Sequence, residues 1–450
     1  MSGPTANLWG MPSPVPAPVG GPAVDGPALD GPRVAGAGAA VGPGSRLRPL
    51  VASPVVLSVA FVLVHAWLAW LNVVGGNRTM GDVDVVYRTW MQQGVGGGVW
   101  VGIDLPWVYP LLAAVPMVIA RLGGDSGYGA VWLVLVSLLN AGAFAVLLTR
   151  RRDGAVAAWW WLGFLVALGP IALGRIDAVT VSIALVGLLL VSSRPSLASA
   201  LLTVAAWVKV WPAALVVVAV LAVRRRREVL VAAAVTSAVV VAISLVLGSG
   251  ATVFGFVGQQ AGRGLQVESP AATLWLWRAA AGVTGTFVHY DREILTYQIA
   301  GDGVGFAARA MSFVMAAVVL GVVLLGLRAV RRGVTATRLH GPLALAIVVA
   351  LIVTNKVGSP QFVAWLAVPV VVGLVLARRG GPRFVVPAVL VVVVAGLTQV
   401  IYPLEYDSLL AARPAMVTVV TARAVLEVAV LVWCAVTLWR LRPAHERMDA

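Results

Sequence analysis

Twelve apolar segments recur between residues 52 and 439, most of them close to the length that carries an α-helix across a bilayer, with short polar or arginine-rich joints between them. No water inside a bilayer can satisfy a bare peptide group, so a chain with this pattern is confined to helices that bond their own backbone. The segments fall at about 52–72, 106–121, 128–149, 155–173, 177–193, 197–223, 228–248, 306–328, 341–354, 361–377, 383–401 and 416–439. With 60% apolar and 11% charged residues, the chain is excluded from the soluble globular class. The pattern predicts an all-α, polytopic transmembrane helical bundle of about 10–12 membrane segments over residues 50–442.

Residues 1–49 alternate Pro, Gly and Ala without period and predict a disordered cytoplasmic tail, and residues 443–450 a second, short one. The net charge of +15 comes from arginines gathered beside apolar segments, which marks topology rather than a nucleic-acid surface. Runs at Arg150–Arg152, Arg224–Arg227, Arg331–Arg332 and Arg378–Arg379, with Arg440 and Arg442, are expected on the cytoplasmic side, together with both termini. Simple alternation of spans fails at two places. It is restored when 106–121 is a partial or peripheral helix and 197–223 breaks at Lys209–Pro212 into a re-entrant pair, leaving about ten crossings. Polar clusters at Asp82 with Asp84, Arg175 with Asp177, Glu268, Asn355 with Lys356, and Glu405 with Asp407 then lie on the outer side, where the site is expected. One cysteine and four scattered histidines carry no metal-ligand spacing, so neither a metal nor a cofactor is expected.

The two lysines, Lys209 in AAWVKVWPAALVV and Lys356 in IVTNKVGSPQFVAWL, both interrupt apolar runs. A charge at a helix centre costs about 2.5–3.5 kcal/mol even on lenient insertion scales, so such residues face a bundle interior or a watery cavity. In the loop GDVDVVYRTWMQQ, a helix from Asp82 would let that residue cap it and would set Asp84, Tyr87 and Arg88 at i, i+3 and i+4 on one face. A purely electrostatic role for Asp84 in the first helical turn stays open beside a catalytic one. Arg175 and Asp177 in GRID fit a helix start as well as a site, and Arg423 with Glu427 fit an intrahelical ion pair.

The ordered set DVDVVY, WVYPLLAAVP, LGRIDAVTVSIALVGLLL, AWVKVWPA, LQVESPAATLW and TNKVGSPQFVAWLAVP resembles glycosyltransferase family 87, integral membrane enzymes of the C-type glycosyltransferase superfamily. Tyr109 to Leu111 read Tyr-Pro-Leu where a second proline is usual in that family. The resemblance implies transfer of a sugar, mannose foremost, from a polyprenyl-phosphate carrier to a lipid or glycan acceptor, with inversion, on the outer face of a bacterial plasma membrane. An arabinofuranosyltransferase using the same kind of carrier is the alternative within the family. A transporter or flippase of a lipid-linked saccharide is the alternative outside it; transport predicts charges along the midplane and commonly an internal repeat. The resemblance implies a general base in the first outer loop at Asp84, with Asp82 next. A base there accepts the hydroxyl proton as the acceptor attacks, and cations stabilise the departing phosphate. Lys209, Lys356 and Arg175 are the candidates for the phosphate. Arg88, Tyr87, Tyr109, Asp177, Glu268 and Gln361 are further candidates for substrate binding.

Overall fold

The computed structural model describes residues 52–75, 78–150 and 152–443. The tails expected at 1–49 and 444–450, and Arg151 in the first arginine run, lie outside the described residues. Among the described residues, nine helical segments are long and apolar enough to cross a membrane, and four shorter apolar helices accompany them. The only strands there form one small hairpin, β1 (Phe287–Asp291) against β2 (Thr296–Ala300), in the longest loop. The fold is therefore the all-α polytopic bundle expected.

Helix α1 (Pro54–Val74) leads into a π-helical turn over Asp82–Tyr87 and then α2 (Arg88–Gly97). The expected partial helix at 106–121 is a short bent piece, Leu111–Gly123, which contains α3 (Ala114–Ala120) and is held by the Tyr128 hydroxyl donating to Met117 O at 2.9 Å. Helices α4 (Tyr128–Leu148), α5 (Arg152–Leu168) and α6 (Ile176–Leu190) follow. The apolar stretch 197–223 is broken where Pro212 forbids a continuous ladder, giving α7 (Pro195–Val208) and α8 (Ala213–Ala222) with Lys209 in extended conformation between them. The first residue of α7 and the last residue of α8 line the same cavity, so the pair enters and returns at one end of the bundle. At 1.5 Å per residue, neither half is long enough to span a bilayer alone.

Helix α9 (Arg226–Val246) is followed by α10 (Gly255–Ala261) and α11 (Thr273–Ala280), then α12 (Val304–Arg331), α13 (Ala336–Val353) and α14 (Ala367–Ala377). Helix α14 is entered through a tight 3₁₀ segment, Pro360–Leu366. Helices α15 (Val385–Gln399), α16 (Tyr406–Leu410) and α17 (Pro414–Arg440) complete the described chain. Helices α9 and α12 are mostly exposed, as lipid-facing spans are, whereas α13 and the 360–377 segment form the buried centre. In that centre α13 and α14 meet through small residues: a Cβ at Gly341 would lie 3.0 Å from Gly373 Cα, and the Phe384 ring fills the space above both glycines. Membrane helices gain little from hydrophobic transfer against each other, so this close approach and its dispersion contacts are what hold the pair.

Buried polar side chains in the spans are bonded across elements. Asn140 lies 3.1 Å from His65 Nε2 and accepts from Ser182, joining α4 to α1 and α6. Asn72 donates to Pro170 O at 3.0 Å and accepts from Thr79 at 2.8 Å, which fixes the exit of α1 over the end of α5. Gly373→Val should lower the thermal midpoint of the purified protein by the equivalent of about 1–3 kcal/mol, because the added methyls must displace Phe384. Val432→Ala, at an exposed position of α17, should change it by less than about 0.5 kcal/mol in the same melt.

Candidate active site

The helix break, the first turn of α6, the π-helical turn after α1 and the entry to α14 converge at one end of the bundle. The Lys209 ammonium lies 3.0 Å from Asp177 Oδ2, and Trp365 Nε1 donates to Asp177 Oδ1 at 2.7 Å. Tyr109 and Phe362 present their rings to the ammonium at 5.1 and 5.5 Å. Trp211, two residues beyond Lys209, stacks on Trp365 with centroids 5.2 Å apart and donates to Thr180 Oγ1 at 3.0 Å. The break therefore frees Lys209 from helical geometry, and the two indoles lock the loop that carries it. The sequence singled out this lysine, and it proves to be nearly buried and paired rather than extended to an interface.

A second ion pair lies close by. Asp82 Oδ2 is 3.1 Å from Arg175 Nε. Arg175 is buried and donates further to Gly174 O at 2.8 Å, to Tyr402 Oη at 3.2 Å and to Thr79 O, and Tyr402 in turn donates to Arg78 O. The guanidinium is thus fully anchored, while the Asp82 side chain keeps 38% of its surface exposed. Among the described residues, Asp82 Oδ1 has no hydrogen-bond donor and is open to a ligand. The field of this carboxylate acts on Tyr87, Tyr109 and Lys209 as well as on Arg175.

The expected common face of Asp84, Tyr87 and Arg88 is not formed. Residues 82–87 wind as a π-helical turn, in which each peptide bonds five residues on rather than four, and Arg88 N donates to Val83 O. The wider turn brings Asp82 to the side of Tyr87. Asp84 instead faces the start of α4, close to Gly129 and Met80, where its charge acts on Tyr128. Partial burial there raises the Asp84 carboxyl above its ordinary range against the opposing charge of Arg88. Arg88 points elsewhere, donating to Asp125 O at 3.0 Å. Tyr87 is buried, with its hydroxyl 3.5 Å from Tyr109 Oη and accepting from Ile176 N at 3.4 Å.

A cavity of about 480 Å³ opens beside these pairs. Tyr109, Lys209 and Trp365 form one wall, Asn355 and Lys356 another, and Met311 with Met315 of α12 an apolar side toward the lipid-facing helices. Lys356 is positioned through its backbone: Gln266 N donates to Lys356 O at 3.0 Å, and Ser269 Oγ to Asn355 O at 2.6 Å. Residues 264–269 in turn run beside β2, with Val267 N donating to Tyr297 O at 3.1 Å. The Lys356 ammonium is pushed below its ordinary range by burial and by the nearby Arg263. Arg263 also feels the charge of Tyr109, so this guanidinium lies near two residues that line the cavity, Tyr109 and Lys356. Sequence reading missed Arg263, although a lone arginine between glycines in AGRGLQVESP, away from any arginine run, was the available signal.

Glu268 lies deeper, 3.7 Å from Arg423 Nη1, and Arg423 Nη2 donates to the Glu268 carbonyl at 2.7 Å. Burial raises the Glu268 carboxyl to about 7, against the attraction of Arg423, Tyr406 and Arg175. Arg423 also pairs with Glu427 at 3.7 Å, so the intrahelical ion pair expected from sequence is extended to a loop. Gln361 is buried in the 3₁₀ segment that carries Trp365.

Residues 107–290 match the model of glycosyltransferase family 87. No curated protein and no solved structure matches the chain. The matched stretch holds Tyr109 and Lys209 of the cavity wall, Arg175, Asp177 and Glu268 of the ion pairs, and Arg263. Set in a polytopic bundle whose charges converge at one end, this match supports membership of glycosyltransferase family 87, a family of membrane glycosyltransferases.

Proposed function

We propose that the protein transfers one sugar, mannose, from a polyprenyl-phosphate donor to a lipid or glycan acceptor, with inversion, on the outer face of a bacterial plasma membrane. The observation that carries this reading is a cavity lined by Lys209 and Lys356 on some sides and by apolar side chains of α12 on another, with the partly exposed carboxylate of Asp82 near enough to act on two of its lining residues, Tyr109 and Lys209. A phosphate on a long hydrocarbon tail has this same division of character.

In this reading the acceptor hydroxyl lies against Asp82 Oδ1. As its oxygen attacks the anomeric carbon, the bond from that carbon to the phosphate oxygen breaks, and the hydroxyl proton passes to the carboxylate. The carbon is attacked from the face opposite the leaving group, which gives inversion. Arg175 holds Asp82 in place through its own three anchors, Thr79 O, Gly174 O and Tyr402 Oη. Lys209, Lys356 and Arg263 meet the charge that develops on the departing lipid phosphate. Asp84, half-buried against α4, serves as support for the turn. Glu268, when ionised, accepts a hydrogen bond from a second acceptor hydroxyl.

Purified protein in lipid, given labelled polyprenyl-phosphate-mannose and a glycolipid acceptor, should form a mannosylated product. Asp82→Asn should lower turnover at least about a hundredfold with little change in donor binding, and Asp84→Asn less than about tenfold. The reverse order of the two would return the base to Asp84. Lys209→Gln should lower kcat by about tenfold to a hundredfold, and Lys209→Arg should recover only part of it, because a planar fork does not fit the cage built for a compact ammonium. The carboxyl near 7 at Glu268 gives a pH test: the group is neutral below that value and charged above it. Turnover over KM for the acceptor should therefore fall as pH drops through about 7, and Glu268→Gln should remove that limb. An unchanged limb in Glu268→Gln assigns the titration to another group.

A further inference from the structure

The ends of α6, α8 and α12 and the beginnings of α7, α9 and α13 surround a second cavity, of about 720 Å³, at the opposite end of the same helices from the active site. Ser192, Ser193, Arg224, Arg225, Arg226 and Thr335 give it a polar mouth. Leu221, Val330 and Leu339 give it apolar walls that run down between the helices. The three joints that meet here are distant in sequence. Together, residues 191–195, 223–228 and 330–338 carry eight arginines and one carboxylate, Glu228.

That carboxylate is already engaged, with Arg225 Nη1 at 3.4 Å and Ser196 Oγ at 3.3 Å. Among the described residues, Arg224 and Arg226 have no ion pair. The residues that precede α7, α9 and α13, namely Arg194, Arg225 and Thr335, bond none of their own helix's first amides through a side chain. Helix starts and guanidinium groups therefore bring positive potential into one concave space. Orientation in the membrane asks only that arginines lie on one side. It does not ask that arginines from one joint sit at the mouth of a cavity built by two others, above apolar walls.

We propose that this cavity binds the headgroup phosphate of an anionic phospholipid, with the acyl chains along the apolar walls. Basic pockets between membrane helices are suited to such headgroups, and the apolar walls distinguish a lipid from a free anion. The occupant would tie the re-entrant pair α7–α8 to α12 and α13 at the end remote from Lys209, and so steady the segment that carries that lysine.

Native mass spectrometry of the full chain in detergent, with equal amounts of dioleoylphosphatidylglycerol and dioleoylphosphatidylcholine, tests the site. Phosphatidylglycerol should be retained preferentially. The triple variant R224Q/R225Q/R226Q should lower its retention at least about tenfold, Arg→Lys at the same three positions should keep most of it, and R378Q/R379Q should leave it unchanged. The glutamine variant's thermal midpoint without added lipid, measured alongside, separates loss of the site from loss of the fold. Equal retention of the two lipids by the wild type, undiminished retention in the folded glutamine variant, or an equal loss in R378Q/R379Q would overturn the proposal. Displacement of the lipid by millimolar inorganic phosphate would overturn the lipid assignment in favour of a free anion. Because none of these readouts uses sugar transfer, they stand apart from the proposed reaction.

Discussion

A charge carried into a low-dielectric bundle has to meet an opposite charge, and three ion pairs in this protein, two buried and one with a partly exposed carboxylate, obey that constraint across different parts of the chain. Lys209 of the helix break meets Asp177 of α6, Asp82 of the π-helical turn meets Arg175 at the start of α6, and Glu268 of the long loop meets Arg423 of α17. Removing one partner from such a pair strands the other, at a cost of about 3–5 kcal/mol. Each pair therefore fixes two elements that would otherwise be joined only by non-directional apolar contact. Two of the three use the first turn of α6, which makes the sequence GRID the hub of the site.

Irregular backbone is placed where those pairs need it. A continuous helix through 195–222 would carry Lys209 round the helix axis at a fixed angle. The interruption before Pro212 lets the residue extend toward Asp177 and the two aromatic rings. The π-helical turn does the corresponding work for Asp82 by widening the turn that precedes α2. Freed peptide groups are tolerated at membrane depth only where protein or a watery cavity covers them. Here Trp211 and Trp365 cover the break, and the 480 Å³ cavity opens beside it.

The parts of this arrangement that sequence could carry were those with a local cause. Apolar length and arginine placement are properties of single segments, and they were enough for the bundle, for the short helix before α4 and for the return of the chain at Lys209–Pro212. Which of Asp82 and Asp84 lies beside Arg175 was not legible in the same way. It depends on whether DVDVVY winds with four or five residues per hydrogen-bonded turn, and that is decided by packing against Tyr109, Trp132 and the start of α6. Arg263 escaped for a related reason: its place beside Lys356 comes from the pairing of residues 264–269 with β2 and with the loop after α13, contacts far apart along the chain. The link from Arg423 to Glu268 likewise spans loop and last helix.

The cations at the cavity consequently differ in kind. Lys209 is already neutralised by Asp177 and caged by aromatic rings, so it contributes a fixed, preorganised dipole more than a net charge. Arg175 is in the same state through Asp82. Lys356 is set instead by its backbone, through the bonds of its loop with residues 264–269. An anion that entered the cavity would meet Lys209 held by groups that do not have to move. For a reaction in which negative charge grows on a phosphate oxygen, donors held in place beforehand stabilise that charge without reorganising as the bond breaks. The difference follows from where each lysine rides, since Lys209 belongs to the locked break between α7 and α8 and Lys356 to the short joint between α13 and the 3₁₀ entry to α14, which is held by residues 264–269.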